Sequence, residues 1–342
     1  MRSCGCGKLA GTVQQVCCRV LALVLPALLV ACSHSPVHSR VHSMRWESGW
    51  RTYRLHTPPN HDKSKPVPLV VMLHGIFINA SLMEAMSRFS DLSDKEGFVV
   101  VYPNARKSRL RSFYPGLPMR GVENALGPAV RADEIGFVNA VVDEVSRDHA
   151  IDPNRIYLAG LSNGGLLATH IMSEDLGKRY RGVALIAMSA PSLHLEALEE
   201  KLNATHGFPT PVPLILFHGD DDPLFKIKGG IPLGLPDEWR VDGALNTAMR
   251  WDKLAGGDGV EDACTPMPEG KREDRTHTLL HEFRNAKGQP TVRYYEVQGG
   301  GHSWPGPKNF FSPAEKLLGG KATDFSATEE IWRFFSQSEG TK

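Results

Sequence analysis

The sequence is short of net charge. Among 342 residues, 39 Lys+Arg stand against 38 Asp+Glu, a formal charge of +1 at pH 7. That balance supplies no general attraction for nucleic acid. Cysteine is scarce where a disulfide framework would need it. Cys4, Cys6, Cys17, Cys18 and Cys32 crowd the start, and only Cys264 lies in the body. Long apolar runs are lacking too: Val20–Ala31 falls short of the roughly 20 residues of a transmembrane helix. No internal repeat is visible. With 41% hydrophobic and 23% charged residues, collagen-like, disordered and disulfide-dense chains are excluded. A chain of this length can bury roughly 75% of its unfolded surface and needs no staples.

Acids are absent from residues 1–31, which carry Arg2, Lys8 and Arg19 ahead of or beside the apolar run. A basic n-region followed by a short h-region is the pattern of a signal peptide. The run closes in Leu29-Val30-Ala31-Cys32, which resembles a bacterial lipobox whose cysteine becomes the acylated first residue. Expected are a lipoprotein signal peptide at 1–31, a Ser/His-rich flexible tether at 32–45 and a catalytic domain at 46–340. The protein would then be exported and held at the cell envelope, touching the membrane only through a lipid on Cys32. Removing the leader takes the formal charge from +1 to −2 and leaves Cys32 and Cys264.

Beyond the tether, β-rich apolar runs alternate with helical patterns. Leu69–Leu73, Phe98–Tyr102, Arg155–Ala159, Val183–Ala187, Leu214–Phe217 and Val292–Val297 read as buried strands. Ala80–Lys95, Asp133–Asp148, Gly165–Glu174, Leu193–Leu202, Ala244–Leu254 and Ala327–Phe335 read as helices. This alternation predicts an α/β fold, a mostly parallel central sheet with helices on both faces. Two long stretches interrupt it: Arg-rich 104–131 and Gly/Pro-rich 224–243.

The chemistry concentrates in a few segments. Gly160-Leu161-Ser162-Asn163-Gly164 lies between a strand and a helix, the context of a nucleophile elbow, where a sharp turn exposes the serine oxygen. A serine hydroxyl needs a base, and His302 stands on a loop in Gly299-Gly-Gly-His-Ser-Trp304. The base needs an acid to orient it. Asp220, Asp221 and Asp222 follow the strand ending at Phe217, and spacing alone leaves the choice among them open. An oxyanion hole would use the N–H of Asn163 and one from Leu73-His74-Gly75-Ile76, assigned to Ile76. Trp304 is a candidate for the substrate pocket wall or for packing under its loop. Trp251 reads as core. His277 and His281 lie four apart without an evident third ligand, and His34, His38 and His42 recur in a Pro-containing tether; neither set is assigned a metal.

These segments, with Asp133-Glu-Ile-Gly-Phe137, Ile151-Asp-Pro-Asn-Arg155, His218-Gly-Asp-Asp-Asp-Pro223 and Asp324-Phe-Ser-Ala-Thr328, resemble the polyhydroxybutyrate depolymerase and feruloyl esterase-like family of α/β-hydrolases. The resemblance runs from about Leu69 to Phe335. It implies a serine esterase acting through an acyl-enzyme on carboxylic esters, with catalytic Ser162, Asp222 and His302 and no metal or organic cofactor. The family's acid directly precedes the proline, which selects Asp222. Asp220 stands where the family often has Thr, and the 104–131 stretch is Arg-rich where the family often carries a Trp-Asn feature, so the substrate is not carried over. Two alternatives use the same fold: a prolyl-oligopeptidase-like peptidase and a catalytically silent, lipid-anchored binding protein.

Overall fold

The computed structural model describes residues 38–106, 112–113, 132–203, 208, 211–232, 237–268, 275–306 and 318–337. Its centre is a ten-stranded sheet in the order β1-β2-β4-β3-β5-β6-β7-β10-β9-β8. The strands are β1 Ser39–Trp46, β2 Gly49–His56, β3 Val67–Leu73, β4 Val99–Pro103 and β5 Ile151–Leu161. The second half holds β6 Val183–Ile186, β7 Leu214–Gly219, β8 Ala263–Pro266, β9 His277–Arg284 and β10 Pro290–Gln298. The six strands from β4 to β10 pair in parallel, and antiparallel strands close both edges.

Alternation along the central strands splits the core in two. Leu69, Val71 and Leu73 join one cluster while Val70 and Met72 join the other, because successive strand residues face opposite sides. The first face is covered by α3 Glu134–Asp148, α4 Asn163–Asp175, α5 Ser192–Asn203 and α6 Ala244–Leu254. The second carries α1 Ala80–Ser87, α2 Phe89–Glu96 and α7 Ala327–Gln337. Trp251 of α6 is fully buried, and its indole N–H donates to the Val212 carbonyl at 2.8 Å. Its truncation to alanine would cost about 3–5 kcal/mol. Among the described residues no helix is long and apolar enough to cross a membrane.

Two expectations are revised. The expected single helix over Ala80–Lys95 breaks at Arg88, whose φ of 55° ends α1 and begins α2. The cause is tertiary: buried Glu84 accepts from Arg54 Nε at 2.7 Å and from Ser90 Oγ at 2.7 Å. That polar knot outweighs a continuous local pattern. The expected tether through residue 45 is shorter, since β1 begins at Ser39 and pairs with β2 from Ser39↔His56 to Trp46↔Gly49. A period of two hides in its polar composition: Met44 and Trp46 turn to the core, and His42 stacks on Tyr53 at 5.1 Å. Cys32 lies outside the described residues.

Candidate active site

Parallel strands deliver their following loops to one end of the sheet, where α/β sites form. β3 is followed by Gly75, β4 by Phe113, β5 by Ser162, β7 by Asp222 and β10 by His302.

Ser162 takes φ 53° and ψ −118° between β5 and α4. A left-handed φ on a non-glycine residue costs of order 1–3 kcal/mol and persists only where its surroundings over-determine it. Here the Ser162 N–H donates to Ile186 O at 2.8 Å, and its carbonyl accepts from the N–H groups of Gly165 and Leu166. The turn also needs Gly164: a Cβ there would lie 2.3 Å from the Leu73 carbonyl oxygen. The strand that leads into the Ile76 turn and the helix that begins at Asn163 are therefore in backbone contact. Gly75 is equally near, since a Cβ on it would fall 3.6 Å from the Ser162 Cβ.

His302 and Asp222 meet directly. Nδ1 of the imidazole lies 2.8 Å from Asp222 Oδ2. The other carboxylate oxygen accepts backbone N–H bonds from Leu224 at 2.7 Å and Phe225 at 2.9 Å. Burial pushes this carboxyl up, but His302 beside it and the Phe225 N–H hold it below the usual carboxylate range. Of the three aspartates only Asp222 is buried. Asp220 serves the scaffold, its Oδ1 accepting from the Gly299 N–H at 2.6 Å. The Asp221 N–H donates to the Gly300 carbonyl at 2.8 Å. The acid loop and the histidine loop thus touch backbone to backbone, and a Cβ on Gly219 would sit 2.2 Å from Gly300 O. Phe225 stacks on the His302 ring at 5.8 Å. His218 lies below, its Nε2 2.9 Å from the Phe225 carbonyl; burial pushes its pKa down, so it stays neutral.

Two residues with no role in the sequence reading support the turn. His74 Nε2 accepts from the Ala105 N–H at 3.0 Å. The ring proton is therefore on Nδ1, which donates to the Gly75 carbonyl at 2.7 Å. In a trans peptide the C=O and the following N–H point in opposite directions, so this bond aims the Ile76 N–H. Asn163 is clamped by its side chain: Oδ1 accepts from the Phe113 N–H at 2.8 Å and Nδ2 donates to Phe113 O at 3.2 Å. Among the described residues no backbone carbonyl engages the N–H of Ile76 or of Asn163. The motif around His74 is visible in the sequence; Phe113 lies fifty positions from its partner and carries no local signal.

Trp304 falls elsewhere. It is buried against Phe89, with ring centroids 6.2 Å apart, and its indole N–H donates to Thr328 Oγ1 at 3.1 Å. The cavity it borders, about 280 Å³, is lined by Met86, Arg88, Lys95 and Phe325 among others, and by neither Ser162 nor His302. The expectation of a substrate contact gives way to packing between α2 and α7.

The family model described as esterase PHB depolymerase matches residues 51–190. Over that stretch the chain is similar to this family, and its fold is that of the α/β-hydrolases. It is 28% identical to a protein named as an esterase, NocK, of Nocardia uniformis subsp. tsuyamanensis, over 77% of the chain and 73% of that protein. It is 26% identical to feruloyl esterase B of Piromyces equi, over 72% of the chain but only 41% of that enzyme. Among solved structures, acetyl xylan esterase from Aspergillus awamori superposes with a TM-score of 0.52 over 87% of this chain and 99% of that one, at 13% identity. That likeness speaks to the fold alone.

Proposed function

We propose that this α/β-hydrolase is a serine esterase that cleaves carboxylic esters through an acyl-enzyme. The observation that carries the reading is the left-handed Ser162, at the N-terminus of α4, on the same sheet end as His302 and its buried partner Asp222. Ser162 Oγ attacks the ester carbonyl while His302 Nε2 takes its proton, and Asp222 stabilises the imidazolium through Nδ1. The N–H groups of Asn163 and Ile76 receive the developing oxyanion, aided by the positive end of α4. The same imidazolium then protonates the leaving alcohol. Water, deprotonated by His302, releases the acid and restores Ser162. No step calls for a cofactor.

Short polyester or hydroxybutyrate oligomers, feruloyl or acetyl esters and simple short-chain esters are the substrate classes in view. The basic leader and its short apolar run favour export, and Cys32 favours a lipid anchor at the cell envelope. Covalent labelling by a fluorophosphonate tests the nucleophile. Labelling is expected in the wild type and lost in Ser162→Ala, with activity on a short-chain chromogenic ester falling by about 10⁴-fold or more. Retained labelling or activity in Ser162→Ala would overturn the assignment. No labelling in the wild type would point to a binding protein. Cleavage of prolyl peptides in preference to an ester panel would point to a peptidase.

A further inference from the structure

The far edge of the sheet gathers a second set of reactive side chains. Cys264 on β8 pairs in register with His281 on β9, and His281 with Tyr294 on β10, so the three lie in one row across the strands. The His281 ring stacks on Tyr294 at 4.9 Å. Glu261, just before β8, places Oε1 2.9 Å from His281 Nδ1. Ligand atoms of Glu261, Cys264 and His281 all fall within 4.8 Å of one another. Behind the ring, Glu296 Oε2 stands 3.5 Å from Nε2. That nitrogen is buried and makes no hydrogen bond among the described residues.

We propose that Glu261, Cys264 and His281 bind one divalent transition-metal ion of the zinc class, with Glu296 orienting His281 from behind. Sulfur, nitrogen and oxygen donors together suit Zn²⁺ and its neighbours and do not suit Ca²⁺ or Mg²⁺. Bonds of about 2.0–2.3 Å set tetrahedral donors roughly 3.5 Å apart. Closing the cluster then needs side-chain movements of about 1 Å, within reach of the flexible Glu261 and the surface thiol. Metal on Nδ1 moves the ring proton to Nε2, where it finds the Glu296 carboxylate; this carboxylate–histidine–metal order is the usual support of a metal-bound imidazole. The unbonded Nε2 thereby acquires a partner. The thiol releases its proton on ligation because the cation reverses the local field set by Glu261 and Glu296. Cys264 is exposed, so the fourth position opens to solvent.

His277 takes no part. It is four residues from His281 along a strand, a separation of about 13 Å, so the spacing noted in the sequence brings no second imidazole. The other ligands arrive through strand pairing.

The test is a Co²⁺ titration of the full chain, read by optical absorption and by metal content after gel filtration. Wild type, Cys264→Ser, His281→Gln and Glu296→Gln are compared. Wild type is expected to retain one more equivalent than Cys264→Ser and to show thiolate-to-cobalt charge-transfer absorption that this variant lacks. Glu296→Gln is expected to weaken binding by about 10–100-fold, and Zn²⁺ to displace the cobalt. The leader thiols and tether histidines are common to all four chains and cancel in the difference. Cys264 is exposed, so an unchanged urea midpoint in Cys264→Ser shows that the fold persists even if His281→Gln unfolds. Equal cobalt content and equal spectra in wild type and Cys264→Ser overturn the proposal. Failure of Zn²⁺ to displace cobalt overturns the assigned metal class.

Discussion

Two histidines in this protein meet a carboxylate through Nδ1 at almost the same distance, 2.8 Å for His302 with Asp222 and 2.9 Å for His281 with Glu261. Their surroundings differ. Asp222 is fully buried, and two backbone N–H groups lock its second oxygen. Glu261 keeps 30% of its side chain exposed, and among the described residues its carboxylate meets the His281 ring without a backbone donor. The far nitrogen of His302 belongs to the end of the sheet where Ser162 sits, whereas that of His281 faces a second carboxylate. A rigid acid with one imidazole makes a directional base. Two looser carboxylates, a thiol and an imidazole make a nest for a cation. The pair distance is shared, so the backbone donors and the third neighbour set the difference in chemistry.

The sharpest way to break this comparison is to neutralise each carboxylate. Asp222→Asn leaves an amide against Nδ1 and favours the wrong tautomer of His302, so kcat/KM for a short-chain ester should fall by about 10⁴-fold. Glu261→Gln should leave kcat/KM within about twofold while lowering cobalt affinity. Equal losses of esterase activity in the two variants would mean that the pairs are not functionally distinct. Next in size is His74→Gln, which removes the bond that aims the Ile76 N–H. Loss of one oxyanion donor costs about 10²–10³-fold in kcat. KM and the urea midpoint should move little, and a change confined to KM would reject the positioning role.

The sequence disclosed the two residues whose neighbours are glycines. Gly160, Gly164 and Gly299–Gly301 announce close backbone approach, and a serine or histidine set among them is conspicuous. Asp222 was harder. Three consecutive aspartates share one loop, and burial, the contact with His302 and the engagement of Asp220 by the Gly299 N–H separate them physically. Phe113 was invisible, because the peptide that Asn163 holds comes from a distant loop. The sheet was readable where strands are apolar throughout. It was not readable at β1, whose inward face uses His42, Met44 and Trp46 within a polar stretch. The Glu261, Cys264 and His281 cluster escaped for the same reason as Phe113: pairing of β8 with β9 brings it together.

A third histidine sharpens what the carboxylates contribute. His149 lies against His61 with tilted rings, centroids 5.2 Å apart, and among the described residues its Nδ1 has no hydrogen bond. Burial, with the nearby Lys63 and His61, lowers its pKa to about 4. Between pH 6.5 and about 4 the unfolded chain therefore carries a proton on this ring that the folded chain does not. Wherever the unfolded state binds more protons, stability rises with pH. The contribution is fully present above 6.5 and is lost as pH falls through this window. His61, lowered by burial in the same way, adds in the same direction. His149→Gln should flatten the decline of the urea midpoint between pH 6.5 and 4 by a slope approaching one proton, with esterase activity at neutral pH unchanged. An undiminished slope would show that His149 is charged in the folded protein and that burial with Lys63 and His61 does not outweigh the nearby Asp148.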